Sequence, residues 1–228
     1  MTRSSVRYDP AKRGLDLASA IVALILLLPV QAVVAGLVMA KLGRPVIFSQ
    51  QRPGRDGRIF VLRKFRTMKD ANSEADHDAD GDEARLTKFG RVLRSTSLDE
   101  LPSLLNVITG DMSIVGPRPL LVSYLDRYSA EQTRRHEVRP GVTGLAQVSG
   151  RNALTWNEKF DLDIEYVDTR SFALDVRIII RTVVTVLRRD GIAQDGQVTA
   201  SEFLGEHRKS GSELHLEQGQ QENEHTNG

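Results

Sequence analysis

LASAIVALILLLPVQAVVAGLVMA, Leu17 to Ala40, lies between Asp16 and Lys41 and runs 24 residues without a charged side chain. About 20 apolar residues carry a helix across a hydrocarbon core, so this segment decides where the rest of the chain sits. A secretory signal is disfavoured, because the run is too long and Val38-Met39-Ala40 is a poor cleavage site. A single spanning helix is the default. Two features favour instead a re-entrant segment that enters one leaflet, breaks and returns. Pro29, near the middle, removes a backbone donor and bends a helix. Basic residues also flank both ends: Arg3, Arg7, Lys12 and Arg13 precede the run, and Lys41, Arg44, Arg52, Arg55 and Arg58 follow it. The positive-inside bias then gives no direction and suits both ends on one side.

Outward from that run, the 228 residues divide into 1–41 (basic flank and membrane segment), 42–205 (the body of the chain) and 206–228 (a Gln-, Glu- and Asn-rich tail expected to be disordered). The 31 Lys and Arg balance 30 Asp and Glu to a net charge of +1, so no field advertises a nucleic-acid partner. No cysteine is present, which excludes a disulfide scaffold, a thiolate metal site and a Cys nucleophile. Of five histidines only His77 and His136 lie outside the tail, against a His-based triad. Carboxylates and arginines are left to do any chemistry.

The fold class reads as α+β, mainly α. Val46–Gln51 and Gly57–Phe65 are β-prone runs joined by Arg52-Pro53-Gly54-Arg55-Asp56-Gly57, a small β-hairpin. Helices are expected over Ser97–Val107, Pro119–Val138, Trp156–Val167 and Phe172–Arg189. The last carries Arg177, Arg181 and Arg188 on one face and Ile178, Ile179, Val183, Val186 and Leu187 over much of the remainder. It suits an interfacial amphipathic helix or a core-packed one. Asp76-His77-Asp78-Ala79-Asp80-Gly81 imitates the opening of a calcium loop. Its twelfth position is Thr87 rather than a bidentate Glu, so it reads as a solvated acidic loop.

Ser97-Leu98-Asp99-Glu100 is the densest chemical signal. Ser-x-x-Glu is also a capping box, and acidic residues in a first turn complement the helix dipole. Arginines shift the balance: Arg91 and Arg94 precede the pair, and Arg63, Lys64, Arg66 and Lys69 follow the hairpin. Arg118 stands between Pro117 and Pro119, whose fixed φ presents a rigid guanidinium suited to bidentate phosphate capture, or forms a plain surface turn. A carboxylate attacks phosphorus only when the charges are screened, so arginines and a hard divalent ion, Mg²⁺, should accompany it. These parts suggest phosphoryl chemistry at a membrane surface.

The chain resembles the bacterial sugar transferases, the small monotopic phosphoglycosyl transferases, from about Lys12 to Gly205. The likeness rests on Lys12-Arg13-Gly14-Leu15-Asp16, Gln51-Arg52-Pro53-Gly54, Lys64-Phe65-Arg66-Thr67-Met68 and Arg94-Ser95-Thr96-Ser97-Leu98-Asp99-Glu100-Leu101-Pro102. It continues through Gly110-Asp111-Met112-Ser113, Val115-Gly116-Pro117-Arg118-Pro119, Arg139-Pro140-Gly141-Val142-Thr143-Gly144, Gln147 and Gly150-Arg151. The resemblance implies transfer of a sugar-1-phosphate from a UDP-sugar to undecaprenyl phosphate on the cytoplasmic face of the bacterial inner membrane. UMP is released, and polysaccharide or glycoprotein glycan assembly begins. It implies Asp99 as nucleophile of a ping-pong route and as a Mg²⁺ contact, with Glu100 assisting the lipid phosphate or orienting the ion. Arg118 would clamp phosphate, with Arg94 and Lys64 near the substrate, and Pro29 would mark the helix break. Gly150-Arg151-Asn152-Ala153, Trp156, Lys159-Phe160 and Gly196-Gln197-Val198-Thr199 resemble members that handle a bacillosamine-type N-acetylated amino sugar. Leu28 departs from the family, which often has Ser before the membrane proline, and leaves the Ile25 carbonyl without that hydroxyl. The alternatives are an inactive scaffold for glycan-assembly enzymes, which would be expected to have lost Asp99, Glu100 or Arg118, and a secreted binding protein with an N-terminal anchor.

Overall fold

The computed structural model describes residues 3–69, 85–150, 153–188 and 202–205. The acidic loop 71–84 with most of its calcium-loop imitation, the motif residues Arg151, Asn152 and 196–199, and the tail 206–228 lie outside the described residues. The described chain is mostly helical, with two small sheets and one long apolar N-terminal helix.

That helix, α1, spans Arg3–Leu42 as one continuous element with Pro29 inside it. A helix can carry a proline by giving up a hydrogen bond, so any turn at Pro29 takes the form of a bend within α1. An inward stripe recurs at helical spacing through Asp16, Ala20, Val34 and Val38, all buried. Ala20 meets Phe60, Leu62, Leu104, Val107 and Met112. Val34 and Val38 meet Phe65 and Leu93. Between these two zones the helix stands clear: Ile25, Leu26, Leu28 and Val33 are 61–71% exposed.

The hairpin forms as expected. β1 (Ile47–Pro53) and β2 (Ile59–Phe65) pair antiparallel, with Ile47 opposite Phe65 and Pro53 opposite Ile59. The two-residue period puts Lys64 on the same face as the buried Phe60 and Leu62. Pattern reading does not find the second sheet, where β3 (Ser113–Val115) and β4 (Gly141–Thr143) pair in parallel. Three-residue strands carry too little periodicity to declare themselves. Their glycines are explained by the packing: a Cβ on Gly141 would lie 2.1 Å from the Gly116 nitrogen, and one on Gly116 2.4 Å from the Arg139 carbonyl oxygen.

α2 (Lys88–Ser95) is capped by the Thr87 hydroxyl, which accepts from the Gly90 N–H at 3.0 Å. The single helix expected from Ser97 to Val107 is corrected to a 3₁₀ helix, Leu98–Ser103, followed by α3, Leu104–Thr109. Pro102 withholds a donor there, and Ser97 takes a left-handed φ of 56°. The helix expected over 119–138 is likewise broken into 3₁₀ helices Val122–Arg127 and Arg134–Glu137 around α4, Ala130–Thr133. Ser129 and Gln132 form a capping box that restarts the chain. After α5 (Leu145–Ser149) come α6 (Trp156–Thr169) and α7 (Phe172–Arg188), both close to expectation. α7 buries Asp175 and Ile178 and turns Phe172, Val176, Ile179, Ile180 and Val183 outward, so it is core-packed on one side and apolar on the other.

Candidate active site

The 3₁₀ helix Leu98–Ser103 packs against β2, and this brings a local acidic pair to a lysine 36 residues earlier. Glu100 accepts from Lys64 Nζ at 2.6 Å and from Arg118 Nη2 at 3.0 Å, both on one carboxylate oxygen. The capping-box alternative fails, because the Ser97 side chain makes no capping bond and Glu100 points to these cations instead. Arg118 is held from behind: its carbonyl accepts from Arg135 Nη2 at 2.7 Å, and Arg135 is fixed by Asp163 at 2.7 Å in a buried ion pair. The guanidinium of Arg118 is half-exposed, so it retains donors for a ligand.

Asp99 differs from its neighbour. It is 8% exposed, and no described side chain donates a hydrogen bond to it. Burial pushes its carboxyl up and the Glu100 charge adds to this; Lys64, Arg118 and Arg94 pull the other way, leaving it raised to about 6, above the usual carboxylate range. For Glu100 burial also pushes up, but Arg118 and Lys64 outweigh it and hold Glu100 well below the ordinary value. Two adjacent carboxylates thus differ in character: Glu100 is a fixed anion that organises cations, and Asp99 is a desolvated acceptor to which no described side chain donates. Burial lowers Lys64 while Glu100 resists the change.

The structure therefore brings together Asp99, Glu100, Lys64 and Arg118. Arg94 lies near enough for its charge to act on Asp99, with its Nε donating to Thr67 Oγ1 at 3.1 Å. Pro29 lies apart from this group, in α1. Arg52 and Arg135 were not among the expected site residues. Arg52 is depressed to about 10 by burial and by the Arg118 charge, which places it beside that guanidinium. Its signal in the sequence was the Gln51-Arg52-Pro53-Gly54 motif.

No cluster of three or more His, Cys, Asp or Glu exists among the described residues. A dedicated protein cage for a metal is absent there, but Mg²⁺ is commonly held by one or two carboxylates with waters and substrate phosphates. Asp99, buried and without a described side-chain donor, fits that mode; Glu100, already bonded to two cations, fits it less well.

A family model described as bacterial sugar transferase matches residues 7–189. The uncharacterized sugar transferase EpsL of Bacillus subtilis is 50% identical over 198 residues, covering 85% of this chain and 96% of that protein. The galactosyl transferase CpsE of Streptococcus agalactiae is 41% identical over 79% of this chain, and the match covers 43% of that protein. The UDP-glucose:undecaprenyl-phosphate glucose-1-phosphate transferase of Caulobacter vibrioides is 39% identical, with 81% of this chain and 73% of that protein covered. The chain thus spans nearly all of one relative and less than half of another.

Proposed function

The chain belongs to the bacterial sugar transferase family, and on that premise we propose that it moves a sugar-1-phosphate from a UDP-sugar to undecaprenyl phosphate, releasing UMP. The observation that carries this reading is the desolvated Asp99 set beside Glu100, Lys64 and Arg118. An Asp99 carboxylate oxygen attacks the sugar-bearing phosphorus; an O–P bond forms, the phosphoanhydride bond breaks, and its electron pair leaves on UMP. A phosphate oxygen of the lipid then attacks the same phosphorus and returns the carboxylate. Arg118, fixed by Arg135, screens and orients the phosphates, and Lys64 and Arg94 hold positive potential around Asp99. Glu100 keeps Lys64 and Arg118 in place without itself taking a proton. Mg²⁺ bound at Asp99 would neutralise phosphate charge.

The membrane arrangement supports the same reading. A straight 40-residue helix measures about 60 Å, yet both ends of α1 are tied to one body. Tyr8 donates to Asp175 and Lys12 reaches it at 2.5 Å, while the Leu42 carbonyl accepts from Arg66. A helix crossing the bilayer straight would carry one of these contacts to the far side. A re-entrant α1 bent near Pro29, dipping through its exposed Ile25–Val33 stretch, leaves the body on the cytoplasmic face of the inner membrane. The outward apolar face of α7 then lies in the interface.

The sugar is open within this reading. The relatives above name glucose and galactose, while Trp156 and Lys159-Phe160 suggested a bacillosamine-type amino sugar. The test is UMP release by the membrane-reconstituted protein with undecaprenyl phosphate, Mg²⁺ and a panel of UDP-sugars that includes all three types. One sugar should release UMP, and Asp99→Asn should lower the rate by about 10³-fold or more. Silence across the panel from a folded protein favours the scaffold alternative.

A further inference from the structure

A cavity of about 30 Å³ lies where the N-terminal part of α1 meets the body, and no active-site residue named above lines it. Its carboxylates are already engaged. Asp9 accepts from Arg170 Nε at 3.1 Å, and Asp16 accepts from Ser113 and pairs with Lys12 at 3.5 Å. Of three further arginines lining it, two lack a carboxylate partner among the described residues and the third has only a long one. Arg13 donates to the Val107 and Ile108 carbonyls at 2.6 and 3.0 Å, and Arg139 Nε donates to the Gly110 carbonyl at 2.8 Å. Neither forms an ion pair with a described carboxylate. Arg55 reaches only its neighbour Asp56, at 3.8 Å, and its buried Nε has no hydrogen-bond partner. The carbonyl bonds anchor two guanidiniums while their other N–H groups stay available. Burial, Arg13 and Arg55 depress Arg139, and the charges of Asp16 and Asp9 only partly offset this, so the cationic groups outweigh the carboxylates around it.

Place identifies the anion. Arg13 precedes the uncharged run by four residues, about 6 Å along the helix axis. The headgroup layer beside the hydrocarbon is roughly 5–8 Å deep. Asp16 and Ala20 face the body, but the outward side of α1 is already apolar and exposed at Leu15, Ile21 and Val22, so an interface lying along that outward side sets this cavity near the lipid phosphates. Planar guanidiniums match phosphate oxygens in geometry as well as charge. We infer that Arg13, Arg55 and Arg139 form a site for the phosphate of an anionic phospholipid headgroup, separate from the catalytic carboxylates, that seats the entry of α1 at the membrane surface. This rests on the membrane reading of α1.

The test uses the full chain in nanodiscs of phosphatidylcholine alone or mixed with phosphatidylglycerol. It compares wild type, Arg55→Glu, and Arg58→Glu, an exposed arginine of the same turn that does not line the cavity. Thermal midpoint and phosphatidylglycerol retained after mild detergent extraction are read. A ligand held by the folded state raises the midpoint. Wild type and Arg58→Glu should show the same rise and retain the lipid. Arg55→Glu should lose both while keeping its midpoint in phosphatidylcholine. Equal loss in the two variants, or no loss in Arg55→Glu, overturns the site in favour of diffuse charge or none. A midpoint raised by inorganic phosphate in phosphatidylcholine discs, with no retained phosphatidylglycerol, overturns the lipid assignment in favour of free phosphate. A wild type that enters both discs without preference overturns this site alone. One that enters neither overturns the membrane reading and the site with it.

Discussion

Glu100→Gln separates the two carboxylates most sharply. In the native site one Glu100 oxygen takes Lys64 at 2.6 Å and Arg118 at 3.0 Å, and the Glu100 and Lys64 side chains are 18% and 19% exposed. Breaking a fully buried pair from one side costs about 3–5 kcal/mol. Partial exposure and the hydrogen bonds an amide oxygen still accepts reduce this to about 1–3 kcal/mol. For a chain of this size each kcal/mol lowers the midpoint by about 2–4 °C, so a drop of about 2–12 °C is expected. The kinetic effect follows from charge. The Glu100 anion raises Asp99, so its removal lowers Asp99, and the freed Lys64 and Arg118 draw Asp99 into an ion pair that lowers it further. A lower value keeps Asp99 ionised in more acid solution, so the acid limb of the rate profile moves to lower pH. The carboxylate, now paired, becomes a poorer nucleophile, and kcat falls by about 10²-fold. The assay is UMP release across pH 5 to 8 beside a thermal melt. An acid limb that stays in place or moves upward would refute the division of roles between the two carboxylates.

The remaining predictions address stability and anchoring. Ionising Asp99 costs the folded state, because its folded pKa lies above the ordinary carboxylate value. That cost is absent below the ordinary value and complete above the raised one. Asp99→Asn should therefore melt higher than wild type at neutral pH, an advantage that shrinks on acidification, and melts at pH 7.5 and pH 4 check this. Arg135→Met leaves Asp163 buried and uncompensated; the pair is 2.7 Å apart with side chains 2% and 5% exposed, so a loss of about 3–5 kcal/mol is expected in melts, with Arg118 misplaced in what folds. Gly141→Ala, whose Cβ would lie 2.1 Å from the Gly116 nitrogen, should separate β3 from β4 and abolish expression of folded protein, measured by size-exclusion yield. Ile25→Asp and Leu28→Asp place charge on the exposed centre of α1 and should weaken retention in the membrane fraction at high salt, whereas Arg58→Gln should not.

Local patterns in the sequence were legible where the structure itself is local. The uncharged run lies within one helix, α7 begins at the expected Phe172, and the hairpin lies where β-prone runs flank a Pro-Gly turn. Of the candidate residues, Lys64 and Arg118 converge on Glu100, with Asp99 beside them. What they do to one another was not legible. Ser97-x-x-Glu100 satisfies a capping rule on paper, and only packing against β2 turns Glu100 toward Lys64. Arg52 gains its place from the Arg118 loop 66 residues later, and Arg135 from a buried aspartate on α6. No window of neighbouring residues contains such pairings. The broken segment 119–138 escaped for a different reason: its three turns, of which only Ala130–Thr133 carries a side-chain cap, are each below the length at which helical period can be read.

The most direct test of the central claim is intact-protein and peptide mass spectrometry after mixing the protein with its UDP-sugar and Mg²⁺ in the absence of lipid acceptor. The account predicts UMP release that stops at one equivalent per protein, with a sugar-phosphate mass added to the peptide containing Asp99 and removed when undecaprenyl phosphate is supplied. UMP that appears only with the acceptor present, with no adduct at Asp99 at any time, would contradict it and point to direct transfer between the two substrates.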